Sequence, residues 1–536
     1  MDKHASLTST PEEVLNTIRE LRQDVARHDQ QLHELMAYLG QLPVPFTPGR
    51  IPPNEKETSH QAELLTPGWM PSNTSGNMIS DVQTPRKIRK IPAHQDNSAD
   101  VVSRLRASWP GRVYRSRLKH FALIRWLAQL LWRTTYPIYI NHIATRLANG
   151  KAKRWLPLTT LGEYAARKTT PTDKLADAAV VETPAPMVFP AGDQGYLASP
   201  HPRYQFPEVV VATIPDATIY GGTNLVLVDD EVLCHDLYDF ARDYTSEELH
   251  GRTLIDARSR RIRWLLHDPA PEPIPVAATF VDACAPNYAH WLTEVLPRIA
   301  LFCAEERFLG IPVVVNDGLH KNIMESLILV AGAGREIITL PIGRALTVKE
   351  LHLTSAAGYV PFERRESKLS GHSHGMFNPH ALEIVRNRLL AVAGQMAFEE
   401  YPQRVILRRN SAVRKLTSAR EIEQLLVDAG YSVVEPDKLS FIQQVQLFAH
   451  ARVVVASSGA ALANIIFCPP ATEIWILISR HPDTSYWYWQ NMAAASNNSV
   501  RYFLGEAAGG ISRSIHDDFF ISPDEVLQTL SRRSAS

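Results

Sequence analysis

VVVASSGAALANIIFCPPATEIWILI, residues 453–478, reads as strand, turn, helix and strand. Three successive valines suit a short strand buried on both faces. Ser457, Ser458 and Gly459 interrupt that run, and AALANIIF has the length and apolar content of a short helix. Pro469 and Pro470 end the helix, because proline lacks the N–H the ladder needs and restricts the residue before it. The apolar run from Glu473 to Ile478 supplies the next strand. This order is the βαβ unit of a parallel sheet. At its turn a helix N-terminus, with free N–H groups and the positive dipole end, is flanked only by small side chains. A phosphate fits there; the plainer alternative is that Gly459 and the alanines only let helix and sheet pack closely.

The flanking sequence extends the same pattern. Strand RVILR (404–408), a helix capped by Ser418 with Glu421, strand YSVVEP and a helix capped by Ser440 with Gln443 lead into it. Further upstream come strand VAATFV from 276, a helix from about 287, strand IPVVV (311–315), a helix over 320–331 and strand ELHLT (350–354). SGHSHGMFNP (370–379) separates the two runs. The expected fold class is therefore α/β, with two Rossmann-like domains over 208–375 and 376–536. Ligands of such sheets bind at the carboxyl ends of the strands or in a cleft between domains.

Ahead of this body the texture differs. Val14, Ile18, Leu21, Val25, His28, Leu32, Leu35 and Leu39 alternate in steps of four and three, a heptad seam. It predicts a coiled-coil helix within 1–45 and a homodimer through residues 10–39. Residues 46–110, rich in Pro, Ser, Asn and Thr, read as a disordered linker, with RKIRK at 86–90 as a solvated charge run. Residues 111–207 read as a basic helical segment followed by a proline-rich linker, 169–207. In LVDDEV, Asp229 and Asp230 fit a strand-ending turn better than an acid pair.

Composition narrows the function. Lys plus Arg, 56, equals Asp plus Glu, 56, so no global field selects nucleic acid. Four scattered cysteines give no zinc or disulfide pattern. No leader-like or membrane-spanning run is evident, which points to a cytoplasmic protein, with a peripheral position at the inner face of the membrane as the alternative. There is no G-x-x-x-x-G-K-S/T, no G-x-G-x-x-G after a strand and no Asp-x-Asp, so a P-loop kinase and an NAD enzyme are disfavoured.

Two constellations can carry chemistry. In NYAHWLTEVLPRI, Asn287, His290 and Glu294 are spaced three and four apart and share one helical face. Either Glu294 is a base oriented by His290, or the reverse, or the pair is an ordinary i,i+4 contact with Asn287 as a cap. In RVILRRNSAVRKL, arginines follow a strand and match a diphosphate, or else form a solvated basic loop.

NYAHWLTEVLPR, RVILRRNSAVRKL and LSFIQQVQLFAHARVVVASSGAALANIIFCPP, in that order, resemble the three blocks of glycosyltransferase family 61, in its bacterial capsular-polysaccharide-type branch. The resemblance covers about 208–505. It implies a GT-B fold, behind the coiled coil and disordered linker, and inverting transfer from a nucleotide sugar such as a UDP-sugar. It implies no cofactor and no obligatory metal. Matched residue by residue, it makes Glu294 and His290 the catalytic pair, with Glu294 as base. Asn287, Arg409, Arg414, Ser458, Gly459, Ala460 and Asn464 become donor-binding residues. The family's usual His before Gly-Ala is Ser458 here, which removes an imidazole contact. The acceptor would be a glycan, a lipid-linked saccharide or a protein. A transferase-like scaffold without catalysis, recruited by its coiled coil, is the rival reading.

Overall fold

The computed structural model describes residues 87–93, 113–114, 124, 127, 130–131, 154–197, 202–243, 245–249, 252–264, 268–332, 334–361, 375–396, 400–411, 414–481, 486–508 and 517–534. The chain divides into two compact units, Met1–Leu65 and Thr66–Ser536, and all described residues lie in the second. The expected coiled coil at 10–39, the dimer it would form and most of the 46–110 linker fall outside them.

Two sheets organise this unit. The one built from the quoted stretch has the parallel order Ser432–Val434, Arg404–Leu407, Val453–Ser457, Glu473–Ser479, Ser499–Ala507. In chain order this is 2-1-3-4-5, a doubly wound sheet whose direction of winding switches between Arg404–Leu407 and Val453–Ser457. Successive side chains of Val453–Ser457 enter different cores. Val453 and Val455 pack with Trp475 and Phe503, whereas Val454 and Ala456 face Phe441 and Phe467. That two-sided burial is what three consecutive β-branched residues encode.

The other sheet is mixed. Ile88–Lys90, Ile337–Leu340, Val313–Asn316, Glu272–Thr279 and Ala345–Thr354 run parallel. Val209–Tyr220 then pairs antiparallel with Ala345–Thr354 and starts a meander through Val226–Val228 and Glu231–Cys234. Only part of this sheet is Rossmann-like. The burial patterns follow the pairing: Val313–Asn316 is buried throughout, whereas Val209–Tyr220 has exposed positions within it. Asp229 and Asp230 are the two-residue turn of a hairpin, with Asp229 left-handed at φ 51°.

One hydrophobic core spans both sheets. Helices Leu296–Ala304, Lys321–Ala331, Pro379–Ala393 and Phe441–His450 pack on one another as a shared layer, with Trp291, Phe302, Leu327, Val385 and Phe441 inside it. The boundary at 376 therefore joins two halves through a common layer.

Three segments depart from their compositional reading. Residues 169–207, expected as a linker, carry strands Thr172–Ala176, Ala179–Glu182, Met187–Phe189 and Arg203–Phe206; Met187–Phe189 extends the doubly wound sheet beside Ser499–Ala507. Within the charge run, Ile88–Lys90 is an edge strand, and its Arg89 pairs with Glu272. Charged side chains on an edge discourage further strand addition, so composition alone mistakes such a strand for tether. Ser418 precedes helix Ala419–Asp428 but does not cap it, because its hydroxyl donates to the Ile521 carbonyl at 2.7 Å. Ser440 and Gln443 do form the expected capping box.

Candidate active site

The His290–Glu294 pair sits at the start of a helix laid over the mixed sheet. Asn287 caps it, its side chain accepting from the Ala289 N–H at 3.1 Å. After Tyr288–His290 the helix widens into a π turn, Trp291–Val295, before resuming as Leu296–Ala304. π turns are rare and concentrate at functional sites. This one brings the Glu294 carboxylate against His290 Nδ1, with side-chain exposures of only 15% and 11%. The second Glu294 oxygen accepts from the Val360 N–H at 3.2 Å.

Both members of the pair hold a proton more firmly than their ordinary values imply. Burial pushes the Glu294 carboxyl up, and Asp282 adds to this, while His290 and the Val360 N–H oppose it; the net direction is up. Burial alone would push the His290 imidazole down, but the Glu294 carboxylate and Asp282 carry it above its ordinary value. A base is most effective when its pKa lies near the working pH.

Asp282, which follows strand Glu272–Thr279, accepts from Arg298 Nη2 at 3.1 Å and from Asn224 Nδ2 at 3.2 Å. Arg298 Nε also donates to the Glu294 carbonyl at 3.0 Å, which fixes the end of the π turn. Glu247, whose carboxyl is pushed up by burial and by Asp282, lines the same cavity as Asp282, Glu294 and Arg298. The cavity measures about 70 Å³. Sequence reading missed Arg298 and Glu247. Arg298 stands four residues after Glu294 on the same helix, which was a usable signal; Glu247 offered none.

Gly358 closes the site from above. A Cβ built there would stand 2.0 Å from the Thr293 carbonyl oxygen, and that oxygen belongs to the π turn. Gly358→Ala must therefore push the strand Gly358–Tyr359 off the turn and drag the Val360 N–H from Glu294. We expect a loss of about 3 kcal/mol, read as a fall in thermal midpoint. An unchanged midpoint would contradict the packing described.

The basic loop lies at the switch point of the doubly wound sheet. A pocket of about 350 Å³ is lined there by Arg409, Asn410, Arg414, Lys415, Ser457 and Leu477. Arg409 donates to the Ser458 carbonyl at 2.7 Å and to Ser411 Oγ at 3.3 Å. Burial, then the neighbouring Arg414 charge, push its guanidinium down to about 10 against the opposing charge of Asp518, and burial pushes that of Arg414 down as well. Among the described residues no carboxylate forms an ion pair with either. By contrast, Arg408 is fully engaged by Glu423 at 2.6 Å. Arg414 also has a left-handed backbone, φ 54°, a strained conformation for a side chain of this size.

The remaining expected donor residues divide. Gly459 precedes a 3-10 helix, Ala460–Phe467, of which Ala460 is the first residue, and a Cβ on Gly459 would lie 3.4 Å from Arg409 Nε. Ser458 is buried, its hydroxyl accepting from the Trp489 indole N–H at 3.3 Å, so its accessible contribution is the carbonyl that holds Arg409. Asn464 is wholly enclosed. Asn287 is occupied as a helix cap. Among the described residues no three His, Cys, Asp or Glu side chains converge as a metal site, and no helix is long and apolar enough to cross a membrane.

A doubly wound sheet with paired arginines at its switch point is thus packed through one core with the buried His290–Glu294 pair. Residues 288–475 match the family model Glycosyltransferase 61, and that region is a glycosyltransferase family 61 region. Its match supports a transferase acting on sugars and takes in the His290 helix, the basic loop and the Gly459 turn. No curated protein matches the chain.

Proposed function

We propose that this protein is an inverting glycosyltransferase moving a sugar from a nucleotide-diphosphate donor to a hydroxyl acceptor, in the synthesis of cell-surface polysaccharide or glycan. Glu294 takes the proton of an acceptor hydroxyl. The acceptor oxygen bonds to the anomeric carbon as the bond from that carbon to the diphosphate oxygen breaks, and a single displacement inverts the centre. The nucleoside diphosphate leaves with its added negative charge against Arg409, Arg414 and the turn at Gly459. Preorganised charge of this kind is usually the largest contribution to such a reaction. The observation that carries this reading is the pair of half-buried arginines without an ion-pair partner at the switch point. Two half-buried cations that repel each other, with only the more distant charge of Asp518 acting on Arg409, are stabilised by an anion.

The arginines supply positive charge where many transferases use a cation, so binding should not require a divalent metal. The acceptor is a glycan, a lipid-linked saccharide or a protein, and the protein acts in the cytoplasm, at the inner membrane face in the lipid-linked case. Residues 10–39 would hold it as a homodimer. Calorimetry with UDP in EDTA, followed by mass spectrometry of products from a panel of nucleotide sugars, tests the reading. We expect saturable binding without metal and cleavage of at least one donor. Binding only with manganese or magnesium would overturn the metal-independent site. Binding without any turnover would favour a scaffold, the reading that Ser458 supports by lacking an imidazole.

A further inference from the structure

Asn464 looks in the sequence like a donor ligand, yet its side chain faces inward and is taken up. Its Oδ1 accepts from the Tyr288 hydroxyl at 2.7 Å. Its Nδ2 donates to Gln444 Oε1 at 2.8 Å and to the Ala461 carbonyl at 3.1 Å. Gln444 is anchored in turn, donating to the Pro436 carbonyl at 3.0 Å, just beyond strand Ser432–Val434. An amide has two donors, and both are used; with no exposed surface, none is left for a nucleotide.

The two ends of this chain of bonds are informative. Tyr288 lies in the first turn of the helix that presents His290 and Glu294, directly after the Asn287 cap. Asn464 lies in the 3-10 helix that opens at Ala460, where the Leu462 N–H returns to the Gly459 carbonyl. The bond from Tyr288 to Asn464 thus joins the element carrying the proposed base to the element carrying the proposed leaving-group site. We propose that Tyr288 and Asn464 are positioning residues for transfer: they set the separation between the acid–base pair and the diphosphate turn without touching either substrate. This rests on the functional reading above. Reacting groups displaced by about 1 Å can cost about a hundredfold in rate, so a buried bond across the site is a sensitive control point.

The experiment compares Tyr288→Phe, Asn464→Ala and the double variant in the full chain. Tyr288→Phe keeps the ring and removes only the hydroxyl, so it tests the bond without hollowing the core. UDP affinity should stay within about twofold in each single variant, whereas donor turnover should fall about 10- to 100-fold. The losses in the double variant should be less than additive, since both substitutions remove the Tyr288–Asn464 bond, although Asn464→Ala also removes the bonds to Gln444 and Ala461, and Tyr288→Phe a longer one to Gln444 at 3.4 Å. The His290 titration, followed by NMR in the ligand-free protein, should move in both variants. The charged groups facing His290 are Glu294 from its own helix and Asp282 from the adjoining strand end, and neither is altered. A tenfold loss of UDP affinity in Asn464→Ala but not in Tyr288→Phe would make Asn464 a donor contact and overturn the proposal. So would additive losses with an unmoved His290 titration. If the unmodified protein neither binds UDP nor cleaves a donor, the functional reading falls. The titration still decides the tie: an unmoved His290 midpoint in Tyr288→Phe rejects it.

Discussion

Replacing Glu294 by Gln is expected to reduce turnover about 10²- to 10⁴-fold while leaving UDP affinity nearly unchanged. The substitution preserves the architecture. A Gln amide can donate to neutral His290 Nδ1, and its oxygen can still accept from the Val360 N–H, the two contacts the carboxylate makes now. What it cannot do is take a proton from the acceptor. The pH dependence carries the same information. A carboxyl raised by burial is protonated at a higher pH than an exposed one, so the unmodified enzyme should lose rate as pH falls through that raised value. The residual rate of Glu294→Gln should lack this acidic limb. His290→Ala should cost less if the imidazole only orients the carboxylate, and more if it is the base. Near-normal turnover of Glu294→Gln at matched thermal stability would reject the assignment, leaving His290 or Asp282 as the next candidates.

The second large effect concerns the arginines. Charge-assisted hydrogen bonds to a desolvated diphosphate contribute about 1.5–3 kcal/mol each. Arg409→Ala and Arg414→Ala should therefore each weaken UDP binding roughly 10- to 150-fold, measured by calorimetry in EDTA. Arg414→Gly separates binding from stability more sharply. Releasing a left-handed residue returns about 1 kcal/mol. The added freedom of glycine in the unfolded chain costs about 0.5–1 kcal/mol. These nearly cancel, so this variant should melt close to the parent while binding UDP as poorly as Arg414→Ala. A variant that retains UDP affinity would remove Arg414 from the site, and a steep fall in melting temperature would mean that the strained turn is structural.

Much of the site was legible because its chemistry is local in sequence. His290 and Glu294 are four residues apart, so any helical turn brings them together, and the widening at Trp291–Val295 only adjusts how. Val453–Ser457 announced its two-sided burial by composition. The arginines were readable because they follow a strand end, where α/β sheets place ligands. Other features depend on partners distant in the chain. Nothing near Glu247 says that it will face Asp282, and nothing near Asn464 says that its amide turns toward Tyr288 rather than toward solvent. A motif reports residue types and order, whereas the direction in which a buried amide points is decided by tertiary packing. The 169–207 region misled for a related reason. Its strands are short and broken by prolines, so their evidence lies in the partners they pair with.

Strand Met187–Phe189 has a consequence for how the chain can be made and divided. It lies beside Ser499–Ala507, with Phe189 stacked on Phe503 at 5.0 Å between ring centroids, although it is synthesised long before that partner. The outer edge of the doubly wound sheet must therefore wait, as an early segment, for nearly the whole chain to emerge. Pairings of such long sequence separation form slowly, because the loop must close before the contact rewards it. A cut at 376 would take the Phe189 ring from Phe503 and leave the Arg501–Phe503 edge unpaired, a template for pairing with other chains. The half after 376 is thus not a detachable module, and its integrity is written into residues that precede the matched region, 288–475.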